Sequence, residues 1–336
     1  MSDIRENPEF AALLRYSAAI GADAALVQGA GGNVSLKIGD GSGDTLWVKA
    51  SGTWLLEAER RDIMVPVALA PLREAIAAGD EAASEDLARF VRTEKNRAGL
   101  RPSIETTLHA LLPHPVVVHV HCVETIAWAC RDDAEAALAP LLAGIAFAFI
   151  PYVRPGAPLT RVIAARLGDA PAAIDVLVLG NHGLVVGAAT VAAAGRLIAE
   201  VAGRLRRRPR PPPFPRALPD YAQYRPAKDP MVQAIATDAL SLAVARRGSL
   251  YPDHVIFLGP GIAETAAGDP VMLVLPGRGV LLREDASGGA LALARCLADV
   301  TARLAPDEPI RPLSADQERE LLGWDAEQYR KTQDRR

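Results

Sequence analysis

The chain has 336 residues, half of them hydrophobic, which is enough apolar material for a sizeable core in two domains or in one large domain. Its net charge of −3 and pI of about 6.1 argue against nucleic acid or an anionic membrane as a partner of the whole surface. Three scattered cysteines are too few for a disulfide framework, and the charged N-terminal segment is unlike a secretory signal. The longest apolar stretch, 136–152, is interrupted by Pro140 and is short for a membrane span, so we predict a cytoplasmic protein.

The first part of the chain alternates short β-type runs with segments of helical periodicity. The runs 34–38 and 45–50 flank a turn rich in glycine and aspartate, and this pattern predicts a β-hairpin with a glycine-rich loop on each side, at 29–33 and 51–53. Apolar spacing and capping residues predict helices over 8–20, 84–93, 103–112, 124–130 and 191–205, a strand over 116–122, and two buried strands within 174–186.

A segment rich in proline and arginine then divides the chain. Proline fixes φ and removes a backbone donor, so 206–219 should be extended, and its basic residues are more typical of a solvated linker than of a phosphate contact. We therefore predict one domain over 1–205 and a smaller lobe over 220–336. Within the lobe we predict a helix over 231–246, a strand over 252–259 and a strand–turn–strand over 270–282.

Two strand–turn–strand segments resemble each other. The apolar positions of 176–186 match those of 272–282 nearly one for one, each segment precedes an alanine- and leucine-rich helix, and His182 falls opposite Arg278. A degenerate internal duplication explains the match, and so does convergent hairpin patterning.

Histidines carry the chemical signal. His119 and His121 are two residues apart in an apolar strand, so both imidazoles should lie on one face, where a metal ion satisfies both at once. His182 lies in a turn between apolar strands, where a side chain can project from the end of a sheet. Three histidines around zinc leave a position open for substrate. Glu105, at the start of a predicted helix, either complements the helix dipole or, beside a metal, acts as ligand or general base.

The remaining histidines and the glycine loops have simpler interpretations. The pattern predicts that His109 packs behind a site, that His114 is exposed in a turn between prolines, and that His254 is a structural residue of a strand. Glycine-rich turns can cradle phosphate oxygens, but they also serve hairpins for conformational reasons alone. The loop 29–33 does not match the dinucleotide-binding pattern.

The order of the motifs resembles the class II aldolase/adducin family, which includes the zinc-dependent fuculose- and rhamnulose-phosphate aldolases. The resemblance spans residues 10–205 and rests on five motifs in order: GGNVS, WVKASGT, PSIETTLH, VHVHC and LGNHGLVV. The segments RPSIETTLHALLPHP, YPDHVIF and LLGWDAEQYRK further resemble the aldolase half of proteins that fuse such a domain to a short-chain dehydrogenase.

The resemblance implies an α/β fold, namely a three-layer α/β/α catalytic domain with a largely antiparallel central sheet, together with a smaller C-terminal α/β lobe. It implies that zinc, or another divalent metal, is held by His119, His121 and His182, and by Glu105 in the resting enzyme before that residue serves as the base. It also implies phosphate binding by Asn33, Ser51, Gly52 and Ser103.

The chain departs from the family pattern at one position. Ile104 stands where the family commonly has a serine, which removes one phosphate-binding hydroxyl and weakens the implication of a phosphorylated substrate. The family's second acid has no matched position, and Tyr152 and Tyr221 are the candidates. Family members often form tetramers, so a homo-oligomer is expected, and 220–336 either caps the site or mediates assembly.

Three functional hypotheses follow. The leading one is a zinc-dependent aldolase that performs retro-aldol cleavage of a ketose or ketose phosphate through an enediolate. A second uses the same metal site for sugar-phosphate epimerisation or decarboxylation. The third is a non-catalytic, adducin-like scaffold, against which the retention of all three histidines and of Glu105 argues.

Overall fold

Two β-sheets organise the chain. The computed structural model describes residues 4–39, 44–80, 82, 86–168, 170–213, 218–219 and 221–334. Within these ranges the strands are β1 (Asn33–Gly39), β2 (Asp44–Lys49), β3 (Met64–Ala68), β4 (Val116–Val120), β5 (Phe147–Ile150), β6 (Val176–Leu179), β7 (Gly183–Ala188), β8 (Tyr224–Pro226), β9 (Met272–Leu275) and β10 (Gly279–Arg283).

Helices surround these sheets. They are α1 (Pro8–Gly21), α2 (Leu69–Ala77), α3 (Thr106–Leu111), α4 (Val123–Ala129), α5 (Ala134–Leu141), α6 (Ala157–Leu167), α7 (Val191–Arg204), α8 (Pro230–Thr237), α9 (Ala239–Ala245), α10 (Pro252–Leu258), α11 (Gly288–Thr301), α12 (Ala315–Leu322) and α13 (Asp325–Asp334). Among the described residues, no helix is both long and apolar enough to cross a membrane.

The main sheet has seven strands in the order β3-β2-β1-β4-β7-β6-β5. Its strand pairs are antiparallel except for β5 and β6. Alternate residues of β4 face opposite sides: Val118 packs in a core shared with α1, α5 and α7, whereas Val117 packs in a core shared with α3 and α6. Helices thus cover both faces, and the predicted three-layer fold with a largely antiparallel sheet is confirmed.

The C-terminal lobe, residues 221–334, has its own three-stranded sheet in the order β8-β10-β9. Its core also contains Val123, Ile126 and Ala127 of α4, so the lobe packs directly on a helix of the main domain. An ion pair between Arg303 and Glu124, 3.0 Å apart and mostly buried, joins the same two parts. The lobe is therefore attached to the helix that directly follows the histidine strand.

The segment predicted to be a solvated linker is extended, but two of its arginines are not solvated. Arg207 pairs with Glu308 at 2.6 Å, and its backbone N–H donates to Glu124. Arg210 donates to the Asp238 carboxylate, to Ser241 and to two carbonyls at the end of α11. The interpretation was wrong for these side chains because buried acceptors of the lobe face them. Residues 214–217 and 220 lie outside the described residues.

Several element predictions differ from the structure. The segment 252–259 is helix α10 rather than a strand, because Pro252 suits the first helical position and short apolar runs do not distinguish strand from helix. The helix predicted over 231–246 is broken at Asp238, whose carboxylate caps α9. The predicted helix 84–93 is a 3₁₀ turn over Leu87–Phe90, and residues 84 and 85 lie outside the described residues.

The two similar hairpins share their register as well as their sequence pattern. Val176 pairs with Val186 as Met272 pairs with Leu282, and both turns place a residue at positive φ, Asn181 at 51° and Gly277 at 68°. The correspondence predicted from sequence therefore extends to geometry, and duplication and convergence both account for it.

Candidate metal centre

Three buried imidazoles meet at one end of the main sheet. His119 lies in β4, His121 is the first residue after that strand, and His182 occupies the turn of the β6–β7 hairpin. Because β7 pairs with β4, the hairpin turn comes to lie beside the end of the histidine strand. The ring centroids are 4.8–5.1 Å apart, and one ligand atom from each ring lies within 4.8 Å of the others.

Hydrogen bonds define which ring nitrogens face the centre. Nδ1 of His119 lies 3.0 Å from the carbonyl oxygen of Leu184, and Nδ1 of His121 lies 3.1 Å from Oδ2 of Asp253. Each Nδ1 must carry the proton to donate, so each Nε2 presents a lone pair. These two Nε2 atoms are 3.1 Å apart, and a cation between them removes the repulsion of their lone pairs.

Glu105 completes the donor set. Its Oε1 lies 3.5 Å from Nε2 of His119 and 3.7 Å from Nε2 of His182. This oxygen is buried and has no hydrogen-bond partner, which is costly for a carboxylate unless a cation is bound. Ser103 helps to place Glu105, because the Ser103 hydroxyl accepts a hydrogen bond from the Glu105 backbone N–H at 3.3 Å. Three imidazoles and one carboxylate fit a divalent metal such as zinc.

Burial holds His119 and His182 in the neutral form that binds metals. Burial lowers the pKa of His119, and the nearby carboxylate of Glu105 only partly opposes it. Burial, reinforced by the adjacent imidazoles, lowers the pKa of His182 well below its usual value. Ligand binding therefore requires no deprotonation of these two rings near neutral pH.

The structure brings most of the predicted residues to one cavity. Ser51, Gly52, Ser103 and Glu105 line it together with His121 and His182. Asn33 is one residue beyond the lining residue Gly32 and lies opposite His119 in the β1–β4 register. Both polar atoms of the Asn33 amide are buried without a hydrogen-bond partner. Ile104 also lines the cavity, at the position where the family commonly has a serine.

Sequence reasoning missed a buried lysine in this cavity. Lys49, at the end of β2, is 2% exposed, and its Nζ donates to the carbonyl of Ala30 at 3.0 Å. Burial, with a smaller contribution from nearby Arg330, lowers the pKa of Lys49 to about 7. The residue belongs to the motif WVKASGT, which was the available signal.

It also missed three charged residues of the C-terminal lobe. Asp253, Glu327 and Arg330 line the same cavity, and each is largely buried. Burial raises the pKa of Asp253, but Arg330 and His121 outweigh that effect and hold it well below its usual range. Their signal lay in the segments YPDHVIF and LLGWDAEQYRK, which the resemblance already singled out.

The two candidate tyrosines are not among the residues that line this cavity in the described part of the chain. Tyr152 packs in the core between the lobe and α4, and burial raises the pKa of its phenol above the usual value. Tyr221 packs against Tyr224 beside the second sheet, with ring centroids 6.4 Å apart.

The other histidines have partners of their own. His109 is buried, and its Nδ1 lies 2.8 Å from the Ser35 hydroxyl. His114 was predicted to be exposed, but its side chain is 12% exposed and Nε2 contacts Asp175 at 3.1 Å. His254 lies in helix α10 rather than in a strand, and its ring bridges the backbone of Leu250 and Gly261.

Comparison with known proteins shows the family of the chain. Residues 11–206 match the class II aldolase and adducin N-terminal domain, which is more than half of the chain. The chain belongs to the class II aldolase and adducin family. The N-terminal class II aldolase domain of a conserved Thermoplasma acidophilum protein is 26% identical, with a TM-score of 0.51, and the match covers 61% of this chain and 95% of that one.

Two further relatives extend the comparison. The chain is 33% identical over 180 residues to a Bacillus subtilis (strain 168) protein named Uncharacterized oxidoreductase YuxG, and the match covers 52% of this chain and 25% of that protein. The match thus spans about a quarter of the length of that relative. YgbL from Klebsiella pneumoniae, a putative aldolase/epimerase/decarboxylase, is 21% identical with a TM-score of 0.44, covering 60% of this chain and 87% of that one.

Proposed function

We propose that the protein is a metal-dependent aldolase that uses zinc to cleave a ketose or a ketose phosphate. One observation carries the proposal: Nε2 atoms of the buried histidines and an unpartnered oxygen of Glu105 converge at one end of a cavity. His119, His121 and His182 would hold the metal, with Glu105 as the fourth ligand in the resting state. The adducin-like scaffold is disfavoured, since a scaffold has no need of this donor set.

Retro-aldol cleavage needs two proton movements. A hydroxyl proton is removed as the carbon–carbon bond breaks, which releases an aldehyde, and the bonding electron pair moves to the carbon next to the ketone carbonyl. That carbon then receives a proton to form the second product. A bound divalent metal supplies Lewis acidity toward the carbonyl and neighbouring hydroxyl oxygens of the substrate.

The residues of this chain supply the positions for that chemistry. Glu105 is the group that moves the proton at the carbon next to the carbonyl, because its free oxygen faces the histidines from the cavity wall. Ser51, Gly52 and Ser103 would contact the substrate's polar end, and phosphate is the expected group there if the substrate carries one. The predictions of a homo-oligomer and of a cytoplasmic location rest on the sequence alone.

The test combines metal analysis with a product screen. Purified protein is expected to contain close to one zinc per chain, and ketoses or ketose phosphates should yield an aldehyde product that disappears after EDTA dialysis and returns with zinc. His119→Ala should lack both metal and turnover, whereas His254→Asn, which changes a histidine outside the cavity, should retain the metal. Full turnover after EDTA dialysis would refute the proposal. Zinc binding with an epimer or carbon dioxide as product would support the second reaction class instead.

A further inference from the structure

The C-terminal lobe reaches the candidate metal ligands through one carboxylate. Asp253, in the first turn of α10, is 2% exposed, and its Oδ2 lies 3.1 Å from Nδ1 of His121. The opposite nitrogen of the same ring faces His119. Asp253 therefore contacts His121 from behind, on the side away from the converging nitrogens.

A second residue of the lobe holds that carboxylate. The two terminal nitrogens of Arg330, in α13, donate to Oδ1 and Oδ2 of Asp253 at 2.6 and 2.8 Å. The Arg330 side chain is 13% exposed, contacts Glu327 at 3.4 Å and lies over the ring of Phe257 at 5.4 Å. Because the planar guanidinium donates to both oxygens, it restricts the carboxylate to one orientation.

The glycine-rich loop makes room for this contact. A Cβ atom on Gly31 would lie 2.8 Å from Nδ1 of His121 and 3.1 Å from Oδ2 of Asp253. A Cβ on Gly52, which has a φ of 76°, would lie 2.7 Å from Cβ of Gln333 in α13. The two glycine-rich loops, 29–33 and 51–53, thus both lie in direct contact with residues of the lobe.

We propose that Asp253 and Arg330 are positioning residues that orient His121 for metal binding, an inference that rests on the proposed function. Asp253 accepts a hydrogen bond from the Nδ1–H group and so holds the His121 ring with Nε2 toward the metal. Arg330 fixes the carboxylate and offsets its buried charge. A carboxylate behind a ligating histidine raises its basicity as a ligand, and loss of such a partner typically weakens metal binding.

A role for Arg330 in binding an anionic substrate is disfavoured by its contacts. Its terminal nitrogens already donate to Asp253 and approach Glu327, so an incoming anion would compete with two carboxylates. A buried arginine between carboxylates is what charge balance requires here, because an unpaired Asp253 would be strongly destabilising in this position.

The experiment measures metal affinity in the full-length protein. Zinc affinity is determined by competition with a chromophoric chelator, and the absorption spectrum of the cobalt-substituted protein reports ligand geometry. Asp253→Asn is expected to weaken zinc binding by about 10- to 100-fold and to change the cobalt spectrum. Arg330→Met should weaken binding in the same direction by about 10-fold, because the carboxylate loses its orientation but remains present. The double variant should lose no more than Asp253→Asn alone, since Arg330 acts through Asp253.

An exposed ion pair in α12 provides the matched controls. Asp316 and Arg319 form a pair with side chains 82% and 74% exposed, so Asp316→Asn and Arg319→Met should leave both readouts unchanged. If Asp253→Asn does not fold, Arg330→Lys carries the test, because lysine keeps the charge but loses the bidentate geometry. Wild-type affinity in a folded Asp253→Asn or Arg330→Lys protein would overturn the inference. Absence of metal binding in the wild type would instead refute the proposed function.

Discussion

The two parts of this molecule contribute to one cavity in different ways. The main domain supplies the converging candidate ligands, on and just after a strand, in a hairpin turn and in the loop before α3. The C-terminal lobe supplies Asp253, Glu327 and Arg330, which face the same cavity from behind or beside those ligands. Residues encoded far along the chain thus contact candidate ligands encoded in the main domain.

Replacing a ligand tests the main domain's side of this comparison. We expect His182→Ala to abolish stoichiometric zinc binding and to reduce turnover by about 1,000-fold or more, because the four converging donors are reduced to two imidazoles and one carboxylate. Zinc content and initial rates measure the effect. Arg278→Ala, at the equivalent turn of the second hairpin, is the matched control, and equal losses in both variants would contradict the assignment.

Titration tests the electrostatic coupling between the two parts. The pKa of Lys49 falls from 10.5 to about 7 through burial and, less strongly, through Arg330, whereas Glu105 and Asp253 oppose the shift. Through Lys49, and through Lys37, whose pKa is also lowered to about 7, the unfolded chain binds more protons than the folded one above about pH 7. The free energy of unfolding should therefore rise between about pH 7 and pH 9, below the range in which the raised pKa values of the buried cysteine thiols oppose the rise. Urea unfolding of the metal-free protein at several pH values measures this rise.

Lys49→Met removes one of two buried lysines with a lowered pKa and should leave about half of the rise, which Lys37 supplies. Lys228→Met, which changes an exposed lysine of the lobe, should leave the dependence as in the wild type. An unchanged slope in Lys49→Met would contradict the lowered pKa of Lys49.

Loss of Arg210 tests how the lobe is held. This side chain donates to Asp238, to Ser241 and to the carbonyls of Thr301 and Leu304, at 2.6–2.9 Å. We expect Arg210→Met to lower the free energy of unfolding by about 2–3 kcal/mol, because several partly buried acceptors lose their donor. Chemical denaturation measures the change, and Arg208→Met, at an exposed position of the same segment, should lie within about 0.5 kcal/mol of the wild type.

A methyl group between the two parts tests their close approach. Gly31→Ala places Cβ against His121 and Asp253, so zinc affinity should fall by about 10-fold while the protein remains folded. Chelator competition measures the affinity. Gly203→Ala, in α7, has open space around the added atom and should bind zinc normally. Normal affinity in Gly31→Ala would mean that the ring and carboxylate can shift apart at no cost.

The smallest effect is expected at the hairpin of the lobe itself. Arg278 occupies the position equivalent to His182. Its backbone N–H donates to the carbonyl of Leu275, as the N–H of His182 does to the carbonyl three residues earlier. The side chain of Arg278, however, is exposed. Arg278→Ala should change zinc content, turnover and the free energy of unfolding by less than the error of each measurement, about 0.5 kcal/mol for the last. A marked loss of turnover would give the second hairpin a role that its position does not suggest.

The candidate ligands and much of the main domain could be predicted from the sequence, because those features follow from local periodicity and an ordered series of motifs. A spacing of two residues puts His119 and His121 on one face of a strand, and the hairpin pattern around His182 puts that residue in a turn at the end of the sheet. The same local rules failed at 252–259, where an apolar run lacks a decisive period and the helix was taken for a strand.

The contact between the lobe and the site depends on long-range packing that local sequence patterns do not encode. Asp253 and Arg330 are 77 positions apart and both are remote from His121, so no spacing rule relates them. The contact between Asp253 and His121 depends on the packing of the lobe against α4 and on the space left by Gly31. Both are consequences of long-range burial. Sequence patterns report which face of a local element is apolar; they do not report which distant element covers it.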